Sequence, residues 1–439
     1  MNPSLQNTNL SIGRQFFENG KYASAKTHLA KCLSDGTGRA EACVILGQIF
    51  QREGAFDKSV KCLRKAIAEG QNSVEVQCLL GESLFEARQY DEARETLEVL
   101  ETNYPEYSKT YIVLGKLFIE NNLLAEAITV LQKAVKIHAG ISSLFYLLGE
   151  AMERSGKYKE AVPVLLQAID LEPNTIPQSH FLLGKIYLAL GNATKAIESF
   201  KKSVRIYPLA EVYFPLAKAY QIIQNYQIAL KIYEKALERP INRPIQHLIL
   251  FHQAEILFEL GGEEDRLGRK HDLYPKTAKK LAEAIALVPD FTAAKHHLAL
   301  VHVKMGSFGE AIAEFNTLQN ETVTDHTKPT EGNADALEVL THSYLQQIHL
   351  GYALSLNGQY KESQEVFKTV LNDPVVQKER IPRSRVLRRL ALVLLEDGKI
   401  DESIKIWHQL ASIDADNLYG AALALQKLGV KMNKPGIDE

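Results

Sequence analysis

Cysteine is scarce: four residues in 439, and all four, Cys32, Cys43, Cys62 and Cys78, lie in the first fifth of the chain. They form no C-x-x-C pair and fit no zinc module, so neither a disulfide framework nor a structural metal is expected. Their apolar surroundings make them reduced, buried small hydrophobes. Long apolar runs are missing too. The most apolar stretch, 245–260, is broken by His247, His252 and Glu255, far short of the roughly 18 uncharged residues that a membrane span needs. The start, Met1-Asn2-Pro3-Ser4, carries no leader or lipid-attachment signal, and the cytoplasm is the expected location. An excess of one charge is also absent, with 51 Lys and Arg against 53 Asp and Glu and a net charge of −2. That balance weighs against a dedicated nucleic-acid binder. No Ser/Pro/Gly-rich linker divides the chain, which favours one continuous architecture over several domains.

The motifs of catalysis are lacking as well: there is no phosphate-binding glycine loop, G-x-S-x-G elbow, dinucleotide fingerprint or kinase signature. The sequence therefore points away from an enzyme and implies no cofactor. Nine of the 13 histidines fall between His247 and His349, but none adopts H-E-x-x-H or comparable spacing, and no metal site is expected.

What is present is a repeat. Small residues recur at Gly13, Gly47, Gly81, Gly115, Gly149, Gly184 and Ala217, at intervals of 34, 34, 34, 34, 35 and 33 residues. A bulky residue follows three positions later each time: Phe16, Phe50, Leu84, Phe118, Met152, Tyr187 and Tyr220. That offset puts both on one helical face. Turn signals such as Gly20-Lys21-Tyr22, Gly54-Ala55-Phe56, Gly156-Lys157-Tyr158 and Gly358-Gln359-Tyr360 then interrupt the pattern. A second helix follows, carrying Ala25, Ala93, Ala127, Ala161, Ala196, Ala229 and Ala311, each followed four residues on by Leu29, Leu97, Leu131, Leu165, Phe200, Tyr233 and Phe315. The alanine permits close approach and the larger residue fills the next gap. Pro105, Pro173, Pro208 and Pro289 stand where a second helix must stop.

Together these features resemble the tetratricopeptide repeat (TPR) family over about residues 6–415. The resemblance implies an all-α fold, a right-handed α-solenoid superhelix of about eleven helical hairpins. Regular units are expected over 1–261, a polar insertion at 262–276, further units at 277–318, a polar loop at 319–334, units again at 335–415, a capping helix at 416–430 and a tail at 431–439. In the family the first helices line a concave groove. Positions three before the small residue become Val44, Cys78, Ile112, Tyr146, Phe181, Phe214 and Phe251, an apolar ladder, and positions one after it include Lys116, Glu150, Lys185 and Lys218, a charged row. Apolar anchors beside a polar rim suit protein recognition. The expected role is a non-enzymatic adaptor or assembly scaffold holding a partner peptide or helix, alone or as a subunit of a larger complex.

Some members grip a partner's terminal carboxylate with a Lys, Asn and Arg clamp, which units two to seven do not match. At the C-terminal end His296 and Leu300, then His349, then Arg385 and Arg389 occupy the clamp positions: two basic positions match, two are His substitutions and one is lost, which makes His296 and His349 candidate anion contacts beside the arginines. Five arginines lie between Arg380 and Arg389, with Arg385, Arg388 and Arg389 on the groove side of one predicted helix. They form either an anion or acidic-peptide contact, with nucleic acid as a further alternative, or a solvated helix start paired with nearby Glu.

Overall fold

The computed structural model describes residues 3–36, 38–173, 177–208, 210–238, 243–324, 343–378, 380–413, 423–424 and 426–427. Among the described residues every regular element is an α-helix, 23 in all. No described helix is long and apolar enough to cross a membrane. The chain divides into two compact units, Met1–Gln224 and Asn225–Glu439.

The first unit holds α1 (Pro3–Glu18), α2 (Tyr22–Asp35), α3 (Arg39–Arg52), α4 (Phe56–Ala68), α5 (Val74–Glu86), α6 (Tyr90–Asn103), α7 (Ser108–Glu120), α8 (Leu124–Ile137), α9 (Ser142–Arg154), α10 (Tyr158–Leu171), α11 (Pro177–Ala189), α12 (Ala193–Ile206) and α13 (Ala210–Ile222). Odd and even helices alternate as the first and second helices of hairpins. The expected close approach is present in atomic detail. A Cβ on Gly81, Gly115 or Gly149 would lie 2.7, 2.8 or 2.5 Å from a side-chain carbon of Leu97, Leu131 or Leu165, and one on Gly184 would lie 2.5 Å from the Phe200 ring. The partner is always 16 residues on, across the hairpin. Ala93, Ala127, Ala161 and Ala196 are fully buried beside these contacts, as are Leu97, Leu131, Leu165 and Phe200. Where serine takes the alanine place, at Ser59, its buried hydroxyl donates to the Gly47 carbonyl at 2.8 Å, which removes the cost of an unsatisfied hydroxyl. Helices α6, α10 and α12 each end two residues before Pro105, Pro173 and Pro208.

The turn inside each hairpin closes with one repeated bond. The N–H of Lys21, Ala55, Gln89, Leu123, Lys157 or Asn192 donates to the carbonyl of Phe16, Phe50, Leu84, Phe118, Met152 or Tyr187, at 2.7–2.9 Å. The residue just before each donor is left-handed. Gly156 supplies that conformation without strain at φ 77°, whereas Arg88 and Asn122 adopt φ 61° and 58° at the corresponding places. A side chain there costs roughly 1–2 kcal/mol. Arg88→Gly is therefore expected to raise stability by about 0.5–1 kcal/mol, the relieved strain being partly offset by a more flexible unfolded chain. Urea denaturation of the two proteins measures the difference.

Successive first helices also touch directly, α1 to α3, α3 to α5, and so on to α11 and α13, while second helices pack on the first helices flanking them. First helices thus form one wall of the unit. Cys32, Cys43 and Cys78 are buried and Cys62 is partly so; none of the four is in a disulfide. Burial pushes the Cys62 and Cys78 thiols up to about 11, which keeps them protonated.

The second unit holds α14 (Tyr226–Leu237), α15 (Arg243–Arg266), α16 (Leu273–Leu287), α17 (Thr292–Met305), α18 (Phe308–Thr324), α19 (Ser343–Leu356), α20 (Tyr360–Leu371), α21 (Pro374–Lys378), α22 (Arg380–Glu396) and α23 (Ile400–Ile413). Much of the 262–276 insertion is helical: α15 runs through Gly261 and Gly262, and Gly261 brings Tyr274 against the helix, with 2.8 Å between the Tyr274 ring and a Cβ built on Gly261. Tyr274 Oη donates to Asp265 at 2.5 Å, and His271 joins the same carboxylate at 3.0 Å, tying the added turns down. Helix α18 likewise continues into the start of the 319–334 segment. The rest of that segment, 325–334, and most of the expected capping helix and tail lie outside the described residues. Serine again replaces alanine at Ser363 and Ser403, donating to the Gly351 and Ala391 carbonyls at 2.6 and 2.7 Å.

Candidate protein-interaction surface

The wall of first helices in the first unit carries the expected ladder. Ile112 on α7, Tyr146 on α9, Phe181 on α11 and Phe214 on α13 are each partly exposed, while Cys78 is closed off. Ile112 and Tyr146 rest on the continuous apolar core beneath, and the Phe181 ring lies 6.0 Å from Phe200. Burial, then the Glu150 carboxylate, pushes the Tyr146 phenol well up, so it stays a neutral hydrogen-bonding group.

Beside the ladder runs a charged rim that is largely paired. Glu82 on α5 meets Lys109 on α7 at 2.7 Å, and Glu153 on α9 meets Lys185 on α11 at 2.7 Å. Glu150 pairs along its own helix with Arg154 at 2.8 Å. Lys116 is exposed and Lys218 partly so. Such exposed pairs contribute little stability; two of them bridge neighbouring first helices and hold the rim's register.

In the second unit the sequence-marked residues are placed differently. Phe251 on α15 is only 2% exposed, its ring edge-on to His297 at 5.0 Å and 5.1 Å from Phe291. It offers the surface almost nothing, because Phe291, in the turn before α17, and His297 on α17 cover it. His296 on α17 is 1% exposed. Its Nε2 shares a hydrogen bond of 2.9 Å with His349 Nδ1 on α19, and its ring stacks edge-on to Phe315. Burial, then His349 and His297, lowers His296 to about 3; burial, then His297 and Arg389, lowers His349 to about 4. Both are therefore neutral near pH 7, an internal donor–acceptor pair and not a pair of cations awaiting an anion. Among the described residues no group of three or more His, Cys, Asp or Glu is placed to hold a metal.

Arg385, Arg388 and Arg389 on α22 are all exposed. The Arg389 guanidinium lies 4.1 Å over the Tyr352 ring on α19. Among the described residues no ion pair or hydrogen bond joins any of the three to a carboxylate. Tyr352, one residue after Gly351, was not marked by sequence; its place in the repeat was the available signal.

A family model described as anaphase-promoting complex, cyclosome, subunit 3 matches residues 18–100 and 120–203. Two tetratricopeptide repeat models match residues 78–140 and 210–240. The chain is a tetratricopeptide repeat protein. A comparison with curated proteins finds no match. Among solved structures, MamA is 27% identical over 36% of this chain and 93% of its own, with a TM-score of 0.35. A tetratricopeptide repeat protein from Parabacteroides merdae is 15% identical over 56% of this chain and 96% of its own, with a TM-score of 0.46. A chain of the APC/C hetero-tetramer Cut9-Hcn1 is 15% identical over 96% of this chain and 90% of its own, with a TM-score of 0.42.

Proposed function

We propose that this tetratricopeptide repeat protein is a non-enzymatic, cytoplasmic adaptor or assembly scaffold that holds a partner's peptide or helix against the first-helix wall of its first unit. The observation carrying this reading is the ladder Ile112, Tyr146, Phe181 and Phe214: partly exposed apolar side chains in a row on consecutive first helices, beside a rim of paired charges. Apolar and aromatic anchors supply most of the energy of protein recognition, and a fixed polar rim supplies register. An amphipathic helix or an extended segment fits such a row by placing every third or fourth, or every second, side chain on it. The partial match to a model of a complex subunit supports the same reading in the form of membership in a multiprotein assembly.

The test is affinity capture from native lysate with the full chain as bait, run beside the double variant Phe181→Ala, Phe214→Ala. A captured protein is expected to be depleted about tenfold or more with the variant, while far-UV circular dichroism keeps its helical signal. An identical set of captured proteins in both lanes would remove the ladder from the binding surface.

A further inference from the structure

We infer that the exposed face of α22 is a second docking site, for an internal acidic peptide segment bearing apolar side chains beside its carboxylates. The inference rests on the protein-binding reading above and extends it to the second unit. Helix α22 buries Val386, Leu387, Leu390, Ala391, Val393 and Leu394. Its opposite face is a single stripe at helical spacing: Ile381, 63% exposed, then Arg385, Arg388 and Arg389, then Leu392, 37% exposed. A basic centre thus has an uncovered apolar residue at each end.

The arginines are not explained by the fold. Some surface cations have carboxylate partners, as in Lys26 with Glu53, Arg64 with Glu92 and Lys185 with Glu153, and others, such as the exposed Lys116, do not; Arg385, Arg388 and Arg389 are three without one among the described residues, gathered on one face of one helix. Nor do they serve the helix dipole, since all three stand beyond the first turn of a helix that spans Arg380–Glu396, where a charge gains nothing from the macrodipole. The neighbouring histidines add no charge, because His349 is neutral and hydrogen-bonded inward to His296. What remains is a row of guanidinium forks, each able to take a carboxylate in bidentate fashion. Arg389 is steadied by Tyr352. Arg385 and Arg389 stand about 6 Å apart along the helix axis, the reach of alternate residues in an extended strand, about 6.6 Å.

Peptide is favoured over nucleic acid for two reasons. The Tyr352 face that would stack a base is already covered by Arg389. The basic residues occupy one helix of a chain whose net charge is −2, which does not supply the extended positive track a polyanion follows.

The probe is a fluorescein-labelled, C-terminally amidated peptide with a run of glutamates between two leucines, titrated by anisotropy against the full chain. Binding is expected to weaken about tenfold or more when glutamine replaces glutamate, and equally with Arg385→Glu, Arg388→Glu, whose exposed side chains can be changed without disturbing the core. Added salt is expected to weaken it as well. A free C-terminus is expected to change nothing. Equal binding of the glutamine peptide, indifference to charge reversal, dependence on a free terminal carboxylate, or tighter binding of a single-stranded oligonucleotide would each overturn the inference. The Phe181→Ala, Phe214→Ala variant is expected to keep the acidic peptide. If the peptide fails while the ladder partner is still captured, this inference alone falls; if the ladder partner is also indifferent to its own variant, the protein-binding reading falls with it.

Discussion

Phe200→Ala is expected to lower the folding stability of the chain by about 3–5 kcal/mol, the usual range for removing a fully buried phenylalanine. Phe200 is 0% exposed, and its ring fills the space left by the missing side chain of Gly184, where even one added carbon would lie 2.5 Å away. Glycine cannot refill that space. Helix α11 cannot sink into it freely either, because α10, α9 and α13 hold it on other sides. The cavity therefore persists, and its lining loses contacts that no neighbour replaces. Urea denaturation followed by circular dichroism is expected to show a lower midpoint at an unchanged slope. Adding Gly184→Val to Phe200→Ala is expected to recover part of the loss, since the two sites share one space and couple. A deficit below about 1 kcal/mol for Phe200→Ala would mean that the hairpin closes over the gap.

Acidification is expected to weaken the second unit through His296 and His349. The sign follows from proton uptake. Their folded values, about 3 and about 4, lie below the ordinary histidine value, about 6.5 in an unfolded chain. Their contribution is thus fully present above about pH 6.5, and it is lost as pH falls, because the unfolded chain binds protons that the folded one refuses. The loss is expected to build between about pH 6.5 and pH 4 and to reach on the order of 3 kcal/mol. Trp407, the chain's one tryptophan, is buried in this unit, so its fluorescence during urea titrations at several pH values is a suitable signal. General acid effects are subtracted with His296→Phe, His349→Leu, which is expected to show a flatter pH dependence over the same interval. Parallel curves for the two proteins would mean that the histidines gain protons as readily folded as unfolded.

Much of the fold was legible because each of its determinants is local. The 34-residue recurrence of glycine, the alanine across the hairpin and the proline after the second helix act within one repeat: Gly149 and Leu165 meet as the spacing requires, and Ala161 is fully buried. The extension of α15 was less legible. Gly261-Gly262 looks like a helix end, yet Tyr274 and Asp265 come together from the next helix and the added turns, and tertiary contact overrides propensity. The surface was the least legible part. Phe181 and Phe251 hold the same place in their repeats, but Phe251 is enclosed by Phe291 and His297, residues of the next hairpin whose identity the repeat pattern does not constrain. His296 and His349 likewise read as substitutions at anion-contact positions until their separation of 2.9 Å makes them one internal pair.

The ladder of contacts in the first unit, each first helix touching the ones before and after it, means that this unit has no centre. Its apolar interior is a ribbon laid down one repeat at a time, and contacts reach only as far along the sequence as the adjoining hairpin. Such a body is expected to fold by growth from any nucleus and to do so quickly, since little loop entropy must be lost before a contact forms. It is also modular in length. Excising one whole 34-residue period would join surfaces already shaped for each other, leaving the stack sound but moving every rung beyond the cut one step along any partner bound to it.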